Sequence, residues 1–64
     1  MEAVHALAIA NSAEQVGYRL KLRAKDCEDK KIRAELELRA TLMYDQRDLW
    51  YEVADYMKKR FADN

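Results

Sequence analysis

An all-α fold is predicted by this sequence: an antiparallel two-helix hairpin that dimerises into a four-helix bundle. Three observations carry that prediction. The 64 residues contain no proline and a single glycine, Gly17, so the turn residues that an all-β fold needs at regular intervals are missing. Half of the residues are hydrophobic and 38% are charged, the balance of a folded helical protein and not of a disordered chain. Finally, a net charge of zero is assembled from blocks: −2 over residues 1–18, +4 over 19–33, −4 over 34–56 and +2 over 57–64. Blocks of opposite sign imply a chain that satisfies its charges within itself or between copies.

The first helix is expected over about residues 3–25. At 100° per residue, Ala6, Ile9, Ala13, Val16, Leu20, Ala24 and Cys27 form one stripe. Its start is ambiguous. Asn11 with Glu14, and Ser12 with Gln15, each make a capping-box pair, so the helix either breaks near residues 11–12 or runs straight from residue 2 or 3.

The turn is expected over about residues 26–30, without glycine, proline or asparagine. Arg19, Lys21, Arg23 and Lys25 come first, then Asp26, Glu28 and Asp29. Cations suit a helix C-terminus and anions the next N-terminus, with Asp26 or Asp29 as the cap of the second helix. The competing reading is one unbroken helix. It would leave the two apolar stripes about 120° out of phase, which a turn resets.

The second helix is expected over about residues 30–62, ending in Lys58, Lys59 and Arg60. Its stripe is Ile32, Leu36, Met43, Trp50, Ala54, Met57 and Phe61. Folding back sets the small residues of the first helix, Ala6, Ala10, Ala13, Gly17 and Ala24, against the bulk of the second, Met43, Trp50, Met57 and Phe61. It places Cys27 near Ile32, Leu20 near Ala40 or Met43, and Ile9 near Trp50 or Ala54. Residues 1–64 thus read as one helical-hairpin domain, and so short a chain usually needs a disulfide, a metal or another copy of itself. One cysteine, Cys27, precludes an internal disulfide.

Another copy is the expected remedy, because one hairpin cannot absorb all the apolar surface. Leu38, Leu42, Leu49, Val53 and Tyr56 widen the second helix's apolar arc to about 200°, roughly twice what one neighbour covers. With Tyr18 and Leu22 of the first helix they form the expected oligomer interface. The first helix also carries Val4 and Leu7 on that second stripe. Each bare aliphatic side chain forgoes roughly 1.5–3 kcal/mol of burial. A different arc of the second helix is the candidate partner surface: Tyr44, Asp45, Asp48, Tyr51, Glu52 and Asp55, the acids spaced 3, 4 and 3 so as to share a face. Tyrosine favours interfaces, whereas a merely wet face carries Lys, Glu and Gln. The plainer alternative is a solvated ridge paired with the basic block of another copy.

Chemistry is sparse. Glu2 and His5 have the Glu-x-x-His spacing of di-metal bundles, but one such pair is a weak signal and no metal or cofactor is expected. Cys27, at the turn, has no histidine near it in sequence and reads as packed at the end of the core. Arg47 falls inside the apolar arc, its stem packed and its head reaching Asp48, Glu14 or solvent. The opening "MEAVHALAIAN" has a short apolar run with Glu2 where a secretory signal carries positive charge, and no segment approaches the ~18 apolar residues of a membrane span. A cytoplasmic, non-enzymatic protein–protein interaction module is expected, its partners a second copy and another protein, with no membrane. The alternatives are RNA or DNA binding through residues 19–33, and a purely structural role in an assembly.

Overall fold

The computed structural model describes residues 2–62, with side chains for residues 2–60. Two helices, α1 (Ala3–Asp26) and α2 (Lys30–Ala62), pack against each other as a hairpin of 54 × 13 × 13 Å. The single-rod alternative is therefore set aside. α1 runs unbroken through Asn11 and Ser12, so neither acts as a cap; its start is flanked by Glu2 in extended conformation, with no side-chain cap.

Residues Cys27–Asp29 reverse the chain with no residue at positive φ, which is how a turn without glycine is possible. Cys27 leaves the helix at φ −85°, ψ 123°, its N–H donating to the Ala24 carbonyl at 3.2 Å. Asp29 is the cap of α2: its carboxylate accepts from the backbone N–H of Lys31 at 2.9 Å and of Ile32 at 3.2 Å, satisfying two donors a helix start leaves open. Arg33 reaches back and donates from Nε at 3.0 Å, and from Nη2, to the Cys27 carbonyl. The Cys27 thiol, half-buried, donates to the Asp29 carbonyl at 3.5 Å.

Between the helices lies a seam with steps of three and four. On α1 it comprises Ala3, Ala6, Ala10, Ala13, Gly17, Leu20, Ala24 and Cys27; on α2 it comprises Arg33, Leu36, Ala40, Met43, Arg47, Trp50, Ala54 and Met57. That is the spacing of a coiled-coil contact. Every apolar side chain buried among the described residues is an alanine: Ala6, Ala10, Ala13, Ala24, Ala40 and Ala54. Leu36, Met43, Trp50 and Met57 are only half-buried, lying along the edges of the alanine track. Small residues let the helix axes approach closely, at the expense of burying little apolar area.

The seam keeps most of both expected stripes, Ala6, Ala13, Leu20, Ala24 and Cys27 on α1 and Leu36, Met43, Trp50, Ala54 and Met57 on α2, and corrects three members. Ile9 and Val16, expected to face the second helix, are 37% and 43% exposed, and Ile32, expected beside Cys27, is 50% exposed. On α1 the seam follows the small residues of the expected stripe, Ala6, Ala10, Ala13, Gly17 and Ala24, with Ile9 and Val16 on its flank. Phe61, expected at the end of the α2 stripe, lies outside the described side chains.

Candidate protein-interaction surfaces

Gly17 positions the first surface. A Cβ there would stand 3.2 Å from two ring carbons of Tyr44 and 3.3 Å from the Ala40 carbonyl oxygen, so the absent side chain makes room for the ring. Tyr44 thus lies across the helix–helix boundary, half-buried. Cations flank it: the Lys21 ammonium is 5.1 Å from the ring centroid and the Arg47 guanidinium 4.9 Å.

Arg47 occupies a seam position where the sequence places a charge among apolar neighbours. Its head turns to the rim, donating from Nη1 to Glu14 at 3.0 Å across the helices and from Nε to Asp48 at 3.0 Å. The Asp48 hydrogen bond, with Glu14 adding to it, raises the guanidinium pKa above its ordinary value against the opposing effect of desolvation. Both partners are those expected for it.

Open grooves lie on either side of the Lys21–Tyr44 contact. One, about 420 Å³, is lined by Glu14, Gln15, Tyr18, Arg19 and Tyr44. The other, about 690 Å³, is lined by Lys21, Leu22, Lys25, Arg33, Glu37 and Thr41. Tyr18 and Leu22, expected in the oligomer interface, therefore sit on the tyrosine edge. Tyr51 follows Tyr44 by seven residues on the same flank of α2 and stays exposed.

Behind the tyrosines runs the acidic ridge. Its members are unequally engaged: Asp48 is tied to Arg47 at 3.0 Å and Asp55 to Lys59 at 3.1 Å, while among the described residues Asp45 and Glu52 have no ion pair. Tyr44 differs from the rest of the expected ridge because it is committed to packing over Gly17. The other five, Asp45, Asp48, Tyr51, Glu52 and Asp55, are exposed on the outside of α2.

The second surface lies on the opposite side of the hairpin. Leu38, Leu42, Leu49, Val53 and Tyr56 fall within about 60° of arc on α2, turned roughly 125° from the seam and away from Tyr44. Four of them are between 53% and 62% exposed, with Val53 half-buried. Ile9 and Val16 flank the seam on this same side, since Glu14 and Lys21 mark the other flank of α1. So the structure divides the expected oligomer set. Its five α2 members share one face, and its two α1 members share the tyrosine edge.

The remaining candidates carry less. Glu2 and His5 are both exposed, and among the described residues no group of three or more His, Cys, Asp or Glu could hold a metal ion. Among the same residues no helix is long and apolar enough to cross a membrane. Of the basic block, Lys21 is engaged with Tyr44 and Arg33 with the turn. What sequence reasoning missed is that Tyr44 packs over Gly17 instead of standing on the outer ridge; its signal was Gly17 within the run of small residues at 3, 10, 17 and 24, seven apart. No protein-family model, curated protein or solved structure matches the chain.

Proposed function

We propose that this chain is a non-enzymatic protein–protein interaction module: a helical hairpin that pairs with a second copy as a four-helix bundle and offers its tyrosine edge and acidic ridge to another protein. One observation carries the reading. Among the described residues the buried apolar side chains are alanines, while Leu22, Leu38, Leu42 and Leu49 are between 46% and 62% exposed. The surface area agrees: 5243 Å² is exposed, whereas a compact monomer of this mass exposes roughly 4,300 Å². The excess is comparable to the ~800 Å² that each partner buries in a standard interface.

Two kinds of surface on opposite sides support two roles. The leucine face is aliphatic and suits a permanent contact. The other side combines Tyr18 and Tyr51 with free carboxylates, the composition of a surface that meets a partner and separates again. Nucleic-acid binding is less well supported, because two of the seven cations in residues 19–33 already serve the hairpin.

The test is a sedimentation measurement paired with thermal melts. The expected result is an oligomer at micromolar concentration whose melting temperature rises with protein concentration. Leu42→Lys with Leu49→Lys should reduce the mass to a monomer and lower helicity. A well-folded native monomer with a concentration-independent melt would refute the reading. For the partner surface, Tyr51→Ala with Glu52→Lys should abolish capture of a partner while leaving helicity and oligomer mass unchanged.

A further inference from the structure

The spacing of the exposed leucine stripe is symmetric. Leu38 and Val53 lie equally far from a point between Asp45 and Gln46, and so do Leu42 and Leu49. The outer pair, Glu35 and Tyr56, shares that midpoint. A twofold contact between identical helices requires this property, because residue i must meet residue j while j meets i. From it we infer that the occupant of this face is α2 of a second copy, antiparallel, with the twofold axis crossing between Asp45 and Gln46. The inference rests on the self-association proposed above and adds which helices meet and in what register.

In that register every aliphatic member of the stripe finds an aliphatic partner. Leu38 packs on Val53 of the second copy, Leu42 on Leu49, and each contact occurs twice. Beyond them Tyr56 reaches the level of Glu35, whose carboxylate can accept from the phenol. Sliding the axis by half a heptad, to residue 49, would place Val53 opposite Asp45 and Leu38 opposite Arg60. Both outer layers would be lost. Burying aliphatic side chains against charged ones forfeits the transfer gain and desolvates the charge, so one register stands clear of its neighbours.

The layer at the axis is polar and has a specific consequence. In an antiparallel pair, residues on one flank meet their own equivalents on the same flank. Gln46, on the side toward α1, therefore faces Gln46 of the second copy, and two amides can donate to each other. Asp45, on the opposite rim where the acidic ridge borders the stripe, faces Asp45, which sets two carboxylates side by side and leaves Asp48, Glu52 and Asp55 as the part of the ridge open to another protein. Among the described residues no cation pairs with Asp45 to relieve that repulsion. A polar layer in an otherwise aliphatic seam weakens the contact and selects its register.

The experiment measures distances between copies. In a Cys27→Ser background, single cysteines at Ala34→Cys or Lys58→Cys, both on exposed positions away from the stripe, receive nitroxide labels for pulsed electron resonance. With the axis between Asp45 and Gln46, the self-separations along the bundle should be nearly equal, roughly 35 Å and 38 Å at 1.5 Å per residue. Two short separations would mean parallel helices, and strongly unequal ones a displaced axis; either overturns this inference and leaves self-association standing. A monomeric mass with no intermolecular distance overturns both, and assigns the face to a different protein. As a check independent of labels, Asp45→Asn should tighten the dimer severalfold in sedimentation, whereas weakening on that change would contradict the facing carboxylates.

Discussion

At the scale of single residues, three positions hold the hairpin in shape, each for a different reason. Asp29 starts α2 by accepting two backbone donors. Asp29→Ala should lower stability by about 1 kcal/mol in a denaturant titration, and Asp29→Asn, which keeps the accepting oxygen, by less. Gly17 matters by what it lacks. Gly17→Val would drive a branched side chain into the Tyr44 ring and the Ala40 backbone, and should lower the melting temperature markedly. With Gly17→Ala two effects compete. The helix gains about 1 kcal/mol of propensity, but the ring must yield a few tenths of an ångström. The Tyr44 ring is half exposed and can shift, so the alanine variant should fold and melt close to the native protein. Arg47 puts a charge on the seam, with its head turned to Glu14 and Asp48. Arg47→Met keeps the packed stem and removes the charge, and should leave the melting temperature unchanged or raise it by a few degrees.

Moving from residues to helices, the question at Asn11 and Ser12 has a sign that can be measured. Two capping-box pairs in the sequence allow a helix to begin there, yet α1 passes straight through. The seam explains why. Ala10 and Ala13 are both buried against α2, and a break between them would remove one of the two from contact. Tertiary packing overrides a local cap. Asn11→Ala should therefore raise stability by roughly 0.5 kcal/mol, as expected for an exposed helix interior; an N-cap would instead lose about 1 kcal/mol on the same change. The turn shows the opposite balance. There the local chemistry was sufficient, because the inversion of charge from Lys25 to Asp29 marks two helix ends without any glycine. Asp29, the later of the two acids considered for the cap, won because the three-residue turn places it directly before Lys30.

For the molecule as a whole, the governing fact is a seam too small to be a core. At 54 Å long and 13 Å across, the hairpin is a rod with more surface than its mass requires. Its melting temperature should accordingly rise with concentration, since any partner that binds only the folded form stabilises it by mass action. Dilution below the dissociation constant should cost helicity as well as mass, because α2 on its own face has little else to hold it.

Much of this was legible in the chain itself. Helix content followed from the missing proline and near absence of glycine, the hairpin from the charge inversion around residues 25–29, and the excess apolar surface from the breadth of the α2 arc. These are local or compositional properties, and backbone hydrogen bonding and helix dipoles act on them locally. The phase of the seam was legible in its small residues, Ala6, Ala10, Ala13, Gly17 and Ala24, but not in its larger neighbours. A stripe weighted by hydrophobicity favours Ile9 and Val16, but two helices that pack closely select for small size, and alanine carries little hydrophobic signal. Only the packed pair decided that Ile9 and Val16 fall outside the contact, that Tyr44 fills the space over Gly17, and that Tyr18 and Leu22 lie on the opposite side from the leucine stripe. Those outcomes depend on how two surfaces fit at contact distance, which no single helix encodes alone.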